Sequence, residues 1–240
     1  MEPASSLKTS ALGDILIRSR TTILDLLERR GYTVEPYRKF IGPDLLKLIP
    51  EQGESLELGE KALRIDVVKR EDPTKHAIVD YRLEPIKQAV SQGTLVKRLL
   101  APDLPSGASP NELYNISPET TEVIILYVPK NISEESDPYD RAALDSWVSH
   151  KFKIQFFPIQ RLVYNPLDHM LQPQFNVVPE EEVAELLKKH YARSKTQFPF
   201  IRFHADMAAR CLGLVPGQIV QITRPSPSSG SYVLYRTCTP

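Results

Sequence analysis

Asp66, Glu84 and Lys87 are the residues whose type and order most suggest chemistry. Each lies on or near the end of a predicted strand. Carboxylates can hold a divalent metal, and a lysine can stabilise an attacked phosphate, which is the equipment of a metal-dependent nuclease. Such sites use a Glu-x-Lys spacing that puts both side chains on one strand face. Here two residues separate Glu84 from Lys87, and one of them is Pro85. That spacing fits solvated surface charge better. The histidines are His76, His150, His169, His190 and His204, with no His-x-x-x-His or His-Glu-x-x-His spacing among them, so no metal site is expected. Gly213-x-x-x-Gly217 lacks the Lys-Ser/Thr that a phosphate loop needs. Cys211 sits in a predicted helix and reads as core, while Cys238 lies near the end. No Ser/His/Asp or Cys/His arrangement can be argued. No catalytic residue, metal, cofactor or small-molecule substrate is expected.

Composition agrees with that absence. The 240 residues carry 30 bases and 30 acids, for a net charge of zero. An autonomous nucleic-acid binder usually shows a basic excess. Two cysteines are too few for a disulfide framework or a zinc site, so a reducing compartment is expected. The opening M-E-P-A-S-S-L-K-T-S has no apolar h-region, so no secretory leader is expected. No apolar run reaches the ~20 residues that span a bilayer, so no membrane partner is expected. Twenty-one prolines imply many loops and short elements.

The elements that must position any functional residue follow from apolar periodicity. Residues 1 to about 11 are polar and expected to fray. Leu12, Ile15, Leu16, Ile23, Leu24, Leu26 and Leu27 predict a helix over Leu12–Arg30 that Gly31 caps. The pairs Arg29-Arg30 and Lys97-Arg98 read as solvated helix faces. Pro36–Ile49 predicts a shorter helix and Glu51–Lys61 an acidic loop. Ala62–Lys69 and His76–Leu83 predict two strands around the turn at Asp72-Pro73. Pro85–Leu100 is helix-like, with Gly93 its weak point, and Ala101–Pro118 is a long loop. Glu122–Val128 is a continuous apolar run, as expected of a buried central strand. Pro138–His150 predicts a helix and Lys153–Phe157 a strand, and Pro158–Val163 begins a helix or turn. This order gives an α/β domain over roughly residues 12–168. Lys130 and Asn131 follow the central strand, at the carboxyl end where binding loops often sit. A light contact with DNA backbone and an ordinary polar loop are both open there.

Asp168–Pro173 starts a linker into a second unit. Pro179 is expected at the first position of a helix whose first turn carries Glu180, Glu181 and Glu182. Gly213 can take the left-handed conformation that ends a helix, and Pro216-Gly217 is a turn dipeptide. Ile219, Val220 and Ile222 predict a strand over Gln218–Thr223, which Arg224-Pro225 should stop. Ser226–Gly230 reads as a tight loop and Ser231–Thr237 as the returning strand. The whole is α+β: an N-terminal α/β domain, 1–168, and a small β-rich domain with helices, 169–240.

These C-terminal residues also carry a resemblance. Gly213-Leu214-x-x-Gly217-Gln218-x-Val220-x-Ile222-x-Arg224-Pro225-Ser226, then Gly230-x-Tyr232-Val233-x-Tyr235-Arg236, resembles the signature of a common RNA polymerase subunit family. Its members are a small subunit of archaeal RNA polymerases and the fifth subunit of eukaryotic nuclear ones. The segment from Arg20-Thr21 to Arg30-Gly31-Tyr32 resembles the family's opening helix. The resemblance implies a non-catalytic structural subunit of a DNA-directed RNA polymerase. Its C-terminal domain would dock on the largest subunit, and its N-terminal domain would form a jaw near downstream double-stranded DNA, touched weakly or indirectly. The full-length form implies a eukaryotic or viral polymerase, hence the nucleus, or a virion or cytoplasmic viral factory. Partner-binding residues would be Pro199, Ile201, Gly213, Gly217, Arg224, Pro225, Gly230, Tyr232, Tyr235 and Arg236, with Lys130 and Asn131 near DNA. For Arg224 and Arg236, interface residue and internal hairpin support are both open. The family's Leu-Pro-Arg-Ile is here Phe198-Pro199-Phe200-Ile201, and its basic pair between the two glycines is Val215-Pro216. The alternatives are a free-standing nuclease-like α/β protein and a polymerase-associated adaptor.

Overall fold

The computed structural model describes residues 4–40, 56–83, 86–103, 113–129, 137–228 and 230–240. The chain divides into two compact units, Met1–Tyr164 and Asn165–Pro240.

The first unit opens with α1 (Ala4–Arg29), which starts well before the expected Leu12. After Pro3 the chain meets no proline or glycine until Gly13, so nothing in it opposes a longer helix. Leu16, Ile23, Leu24, Leu26 and Leu27 are its fully buried stripe. Gly31 ends it at a positive φ of 87°, with Tyr32 N–H donating to Leu27 O at 3.0 Å. One turn follows, α2 (Glu35–Arg38), and the helix expected over Pro36–Ile49 has already given way to a turn at Lys39 and Phe40; positions 41–49 lie outside the described residues.

The acidic stretch expected as a loop contains α3 (Leu56–Leu63). Tertiary contacts override the loop-like composition. Leu63 is fully buried, and the Glu60 carboxylate accepts Leu83 N–H at 2.7 Å. Because α3 claims Ala62 and Leu63, the next strand is shorter than expected: β1 (Ile65–Val68). It pairs antiparallel with β2 (His76–Arg82). β3 (Thr121–Tyr127) and β4 (Ile154–Pro158) then add in parallel, in the order β1-β2-β3-β4. The crossover from β2 carries α4 (Lys87–Ser91) and α5 (Thr94–Leu100), and that from β3 carries α6 (Asp137–His150). The single helix expected over 85–100 is split at Gly93, which sits at φ 67°.

β3 is buried from Glu122 to Tyr127 because helices cover both faces of the sheet. On one face Ile78, Val123, Ile125, Tyr127, Ile154 and Phe156 pack with Val90, Leu95, Leu99, Tyr139 and Ala143 of α4, α5 and α6. The other face carries Glu122, Ile124, Leu126, Gln155 and Phe157. There Arg30, just past α1, hydrogen-bonds Glu122 and Gln155.

The second unit is a sheet in the order β5-β7-β8-β6. Its elements are β5 (Gln174–Val177), α7 (Glu180–Lys189), β6 (Phe200–Arg202), α8 (Met207–Leu212), β7 (Ile219–Ser226) and β8 (Gly230–Thr239). Neither β5 nor β6 is expected from the residue pattern. Both are short and mostly exposed, so neither leaves a clear alternation. Pro179 is the cap before α7 rather than its first residue, with extended ψ of 144°. β7 does not stop at Arg224-Pro225 but runs on to Ser226. Its pairing explains why. Cys238 N–H donates to Gln218 O across the β7–β8 ladder, so alternation turns the peptide groups of the odd residues of β7 outward. β5 ends opposite Thr223, so the Pro225 nitrogen faces an open edge and costs no ladder bond.

Gly213 caps α8 at φ 68°, and Gly217 sits at φ 96° with open space where a Cβ would stand. Gly217 N–H donates to Cys238 O at 2.9 Å and closes the base of the hairpin. Gly217→Ala therefore strains only the backbone, and is expected to destabilise the chain by about 1–3 kcal/mol in denaturant unfolding. An unchanged midpoint would show that this turn tolerates a side chain.

Candidate functional site

The hairpin sorts the expected partner-binding residues into two groups. Ile201 is buried, Gly213 and Gly217 shape turns, and Gly230 (φ 73°) closes the hairpin opposite Ser226. Tyr235 packs in an aromatic group with His190 and Phe198, at ring separations of 5.1 and 6.0 Å. That group borders the small core in which Val183 and Leu186 of α7 meet Ile219. Arg236 is half-buried and its Nη1 donates to Phe200 O at 3.0 Å, tying β8 to β6. These residues support the hairpin from inside.

The second group faces water. Arg224 and Pro225 are exposed, and Tyr232, opposite Arg224, is 58% exposed. Pro199 is exposed, while its carbonyl accepts Thr237 N–H at 2.9 Å. Alternation places Arg224, Tyr232, Leu234 and Arg236 on one face of the hairpin and Val233, Tyr235 and Phe200 on the other. Phe200 is 52% exposed and Val233 40%. Neither Phe200 nor Val233 was among the candidates, nor were the exposed Met170 and Leu171. Counting alternate residues outward from buried Ile222 would have found Val233 as a residue on the opposite face. Met170 and Leu171 have no such signal, because they lie outside any strand or helix.

Lys130 and Asn131 lie outside the described residues, as does Glu84. Asp66 is exposed on β1, 3.7 Å from His76 Nδ1, while Lys87 is exposed on α4. No set of three His, Cys, Asp or Glu residues among the described residues could hold a metal ion. Among them, too, no helix is long and apolar enough to cross a membrane.

The first unit holds an electrostatic feature that differs from expectation. Arg29 is exposed as expected, but the Arg30 side chain is only 5% exposed. The turn at Gly31 swings the chain back toward β1, where Thr33 N–H donates to Val68 O at 2.9 Å, and Arg30 faces the sheet. Its Nη1 meets Glu122 Oε1 at 2.9 Å and its Nη2 donates to Gln155 Oε1 at 3.0 Å. Lys153 Nζ takes the other Glu122 oxygen. Burial would raise the Glu122 pKa, but Lys153 and then Arg30 overcome it and hold the carboxyl down to about 2. Burial pulls Lys153 below the ordinary ammonium range; Glu122 opposes that shift and the nearby Arg30 cation adds to it. Tyr32 beside them is pushed up, by burial first and by Glu122 next. A charge this deep is kept only with its partners.

Comparison with known proteins places this architecture. The family RNA polymerase Rpb5, C-terminal domain, matches residues 164–238, which are the second unit almost entire. A Dictyostelium discoideum protein, DNA-directed RNA polymerases I, II, and III subunit rpabc1, is 28% identical over 224 residues, covering 93% of this chain and 96% of its own. An Arabidopsis thaliana protein, DNA-directed RNA polymerase V subunit 5C, is 28% identical over 219 residues, covering 91% and 81%. The Thermococcus kodakarensis DNA-directed RNA polymerase subunit Rpo5 is 42% identical over 73 residues, covering 30% of this chain and 87% of its own. The chain belongs to the RNA polymerase Rpb5 family.

The buried node predicts an acid limb of stability. The ordinary glutamate value of 4.5 falls to about 2 in the folded state, so the stabilisation is present above about pH 4.5 and lost as pH falls toward 2. A shift of that size is worth about 3 kcal/mol. Glu122→Gln removes the buried carboxylate that Arg30 and Lys153 share, and is expected to cost about 3–5 kcal/mol at neutral pH. It should also flatten the unfolding profile between pH 4.5 and 2. A profile as steep as the wild type's would remove Glu122 from that role.

Proposed function

We propose that this protein is a non-catalytic structural subunit of a multisubunit DNA-directed RNA polymerase. The observation that carries the reading is the coincidence of three things in residues 165–240: the family match, a self-contained sheet, and polar and aromatic side chains turned outward. Nothing among the described residues of that unit is arranged for bond-making. Arg224, Pro225 and Tyr232 offer a planar cation, a rigid corner and an aromatic ring, which suit a protein interface better than a reaction centre.

In this reading the second unit docks on the polymerase's largest subunit. Gly213, Gly217, Gly230, Ile201, Tyr235 and Arg236 hold its shape, while Pro199, Arg224, Pro225 and Tyr232 make contact. The first unit serves as the jaw, near downstream double-stranded DNA, with Lys130 and Asn131 on its DNA side. The relatives from Dictyostelium discoideum and Arabidopsis thaliana support the nucleus as its place of work, with a virion or viral factory the setting if the polymerase is viral.

A tag on this chain should bring down the largest polymerase subunit in equal amount, read by mass spectrometry. The double variant R224A/Y232A changes exposed side chains, so its thermal midpoint should match the wild type's. Retention of polymerase should nonetheless fall about tenfold or more, as for loss of an interface anchor. Full retention by this variant would overturn the assignment of the contact residues, and absence of polymerase subunits with the wild type would overturn the function.

A further inference from the structure

β8 has two edges of unequal cover. On one side β7 accompanies it from Gly230 to Thr237. On the other, β6 reaches only Thr237, Cys238 and Thr239. The hydrogen bonds at the base fix which peptide groups face which edge. Cys238 N–H donates to Gln218 O at 2.8 Å, toward β7, and Thr237 N–H donates to Pro199 O at 2.9 Å, toward β6. Alternation along the strand then turns the N–H and C=O of Val233 to the β6 side, beyond the end of β6.

Open edges of this kind are normally blunted by lysine, proline, an inward charge or a bulge. The run Gly230-Ser231-Tyr232-Val233-Leu234-Tyr235 has no charged residue and no proline. It pairs with β7 in unbroken register. It instead presents Tyr232 and Val233 to water, one on each face. The same edge already accepts one strand, β6, over the three residues Thr237 to Thr239. Charge indicates what would extend that cover. Residues 218–240 contain Arg224 and Arg236 and no acid. Register puts both arginines on the face of Tyr232, one directly across the ladder and the other four residues along β8.

We propose that the free edge of β8 around Val233 takes an extended, acidic segment of a polymerase partner chain as an added strand, with the exposed Arg224 beside Tyr232 supplying the charge that its carboxylates meet. This rests on the polymerase-subunit reading. Backbone bonds would give the affinity, and the side chains flanking Val233 the choice of partner. A second copy of this chain would bring the same arginines and no acid to the junction, so like charges would meet. A nucleic acid offers no strand of peptide groups to pair with the edge.

Two measurements on the full chain test the proposal. Amide exchange of the wild-type protein, free and within the tag-purified polymerase, should show the peptide 231–236 slowed about tenfold or more in the complex. Val233→Pro removes the outward N–H and leaves the β7 ladder alone, which is where a strand tolerates proline. It should keep the free protein's thermal midpoint within a few degrees and lower polymerase retention about tenfold. If the variant does not fold, exchange on the wild type decides. Unchanged exchange, or full retention of the folded variant, overturns the edge proposal while a co-purifying wild type leaves the polymerase reading intact. A wild type that brings down no polymerase subunit overturns both. Slowing that appears in the free protein as its concentration rises, or that nuclease treatment abolishes, assigns the edge to a second copy or to nucleic acid and overturns the proposal.

Discussion

The β7–β8 ladder is the interaction on which the second unit depends. β5 hangs on one side of it and β6 on the other. α7 packs on it through Ile219, and the turn at Gly217 closes it by bonding Cys238. Among the described residues of that unit, no other pair of strands is long enough to organise the rest. Its register therefore decides which hairpin positions are exposed and which are buried. A slip of one residue would turn Val220 and Ile222 to water and bring Gln221 and Thr223 inside, which a buried face does not permit.

Much of this was legible in the residues, for a definite reason. β-branched Ile219, Val220 and Ile222 between a Pro-Gly turn and a Ser-rich loop can make little except a hairpin strand. The long strand β3 was legible because a parallel strand covered on both faces reads as an unbroken apolar run. The Gly93 break and the Gly213 and Gly217 turns were legible because each needs a positive φ that glycine supplies. What could not be read depended on distant partners. β5 and β6 are strands only because β7 and β8 are there to pair with them. α3 exists where composition says loop, since Leu63 and Glu60 are fixed by residues far along the chain.

Arg30 shows the same limit in electrostatic form. An arginine at a helix C-terminus fits the dipole and reads as solvated. The glycine after it reverses the chain, and reversal turns the side chain onto the sheet. Only there do Glu122, from β3, and Lys153, next to β4, converge with it: Glu122 lies 92 positions along the chain from Arg30, and Lys153 a further 31. Glu122 itself looked like the polar first residue of an apolar strand. Its burial is tolerable because two cations from separate elements converge on it, which makes the node a check that α1, β3 and β4 are correctly assembled.

The site residues divide along the same physical line. A motif written as one string of letters, Gly213 to Arg236, does two jobs that alternate along the strands. Residues facing the sheet's own core or its turns hold the shape, and their neighbours one position away face outward. Arg224 and Arg236 share a motif and a residue type, yet Arg236 is engaged on the Phe200 carbonyl while Arg224 stands clear of the core. The departure Phe200 acquires a meaning from this geometry. It sits on β6, half-exposed, on the same hairpin face as Val233. One face of the hairpin thus shows Phe200 and Val233 to water where the other shows Arg224 beside Tyr232, and a strand laid along β8 would meet both, one with each alternate side chain.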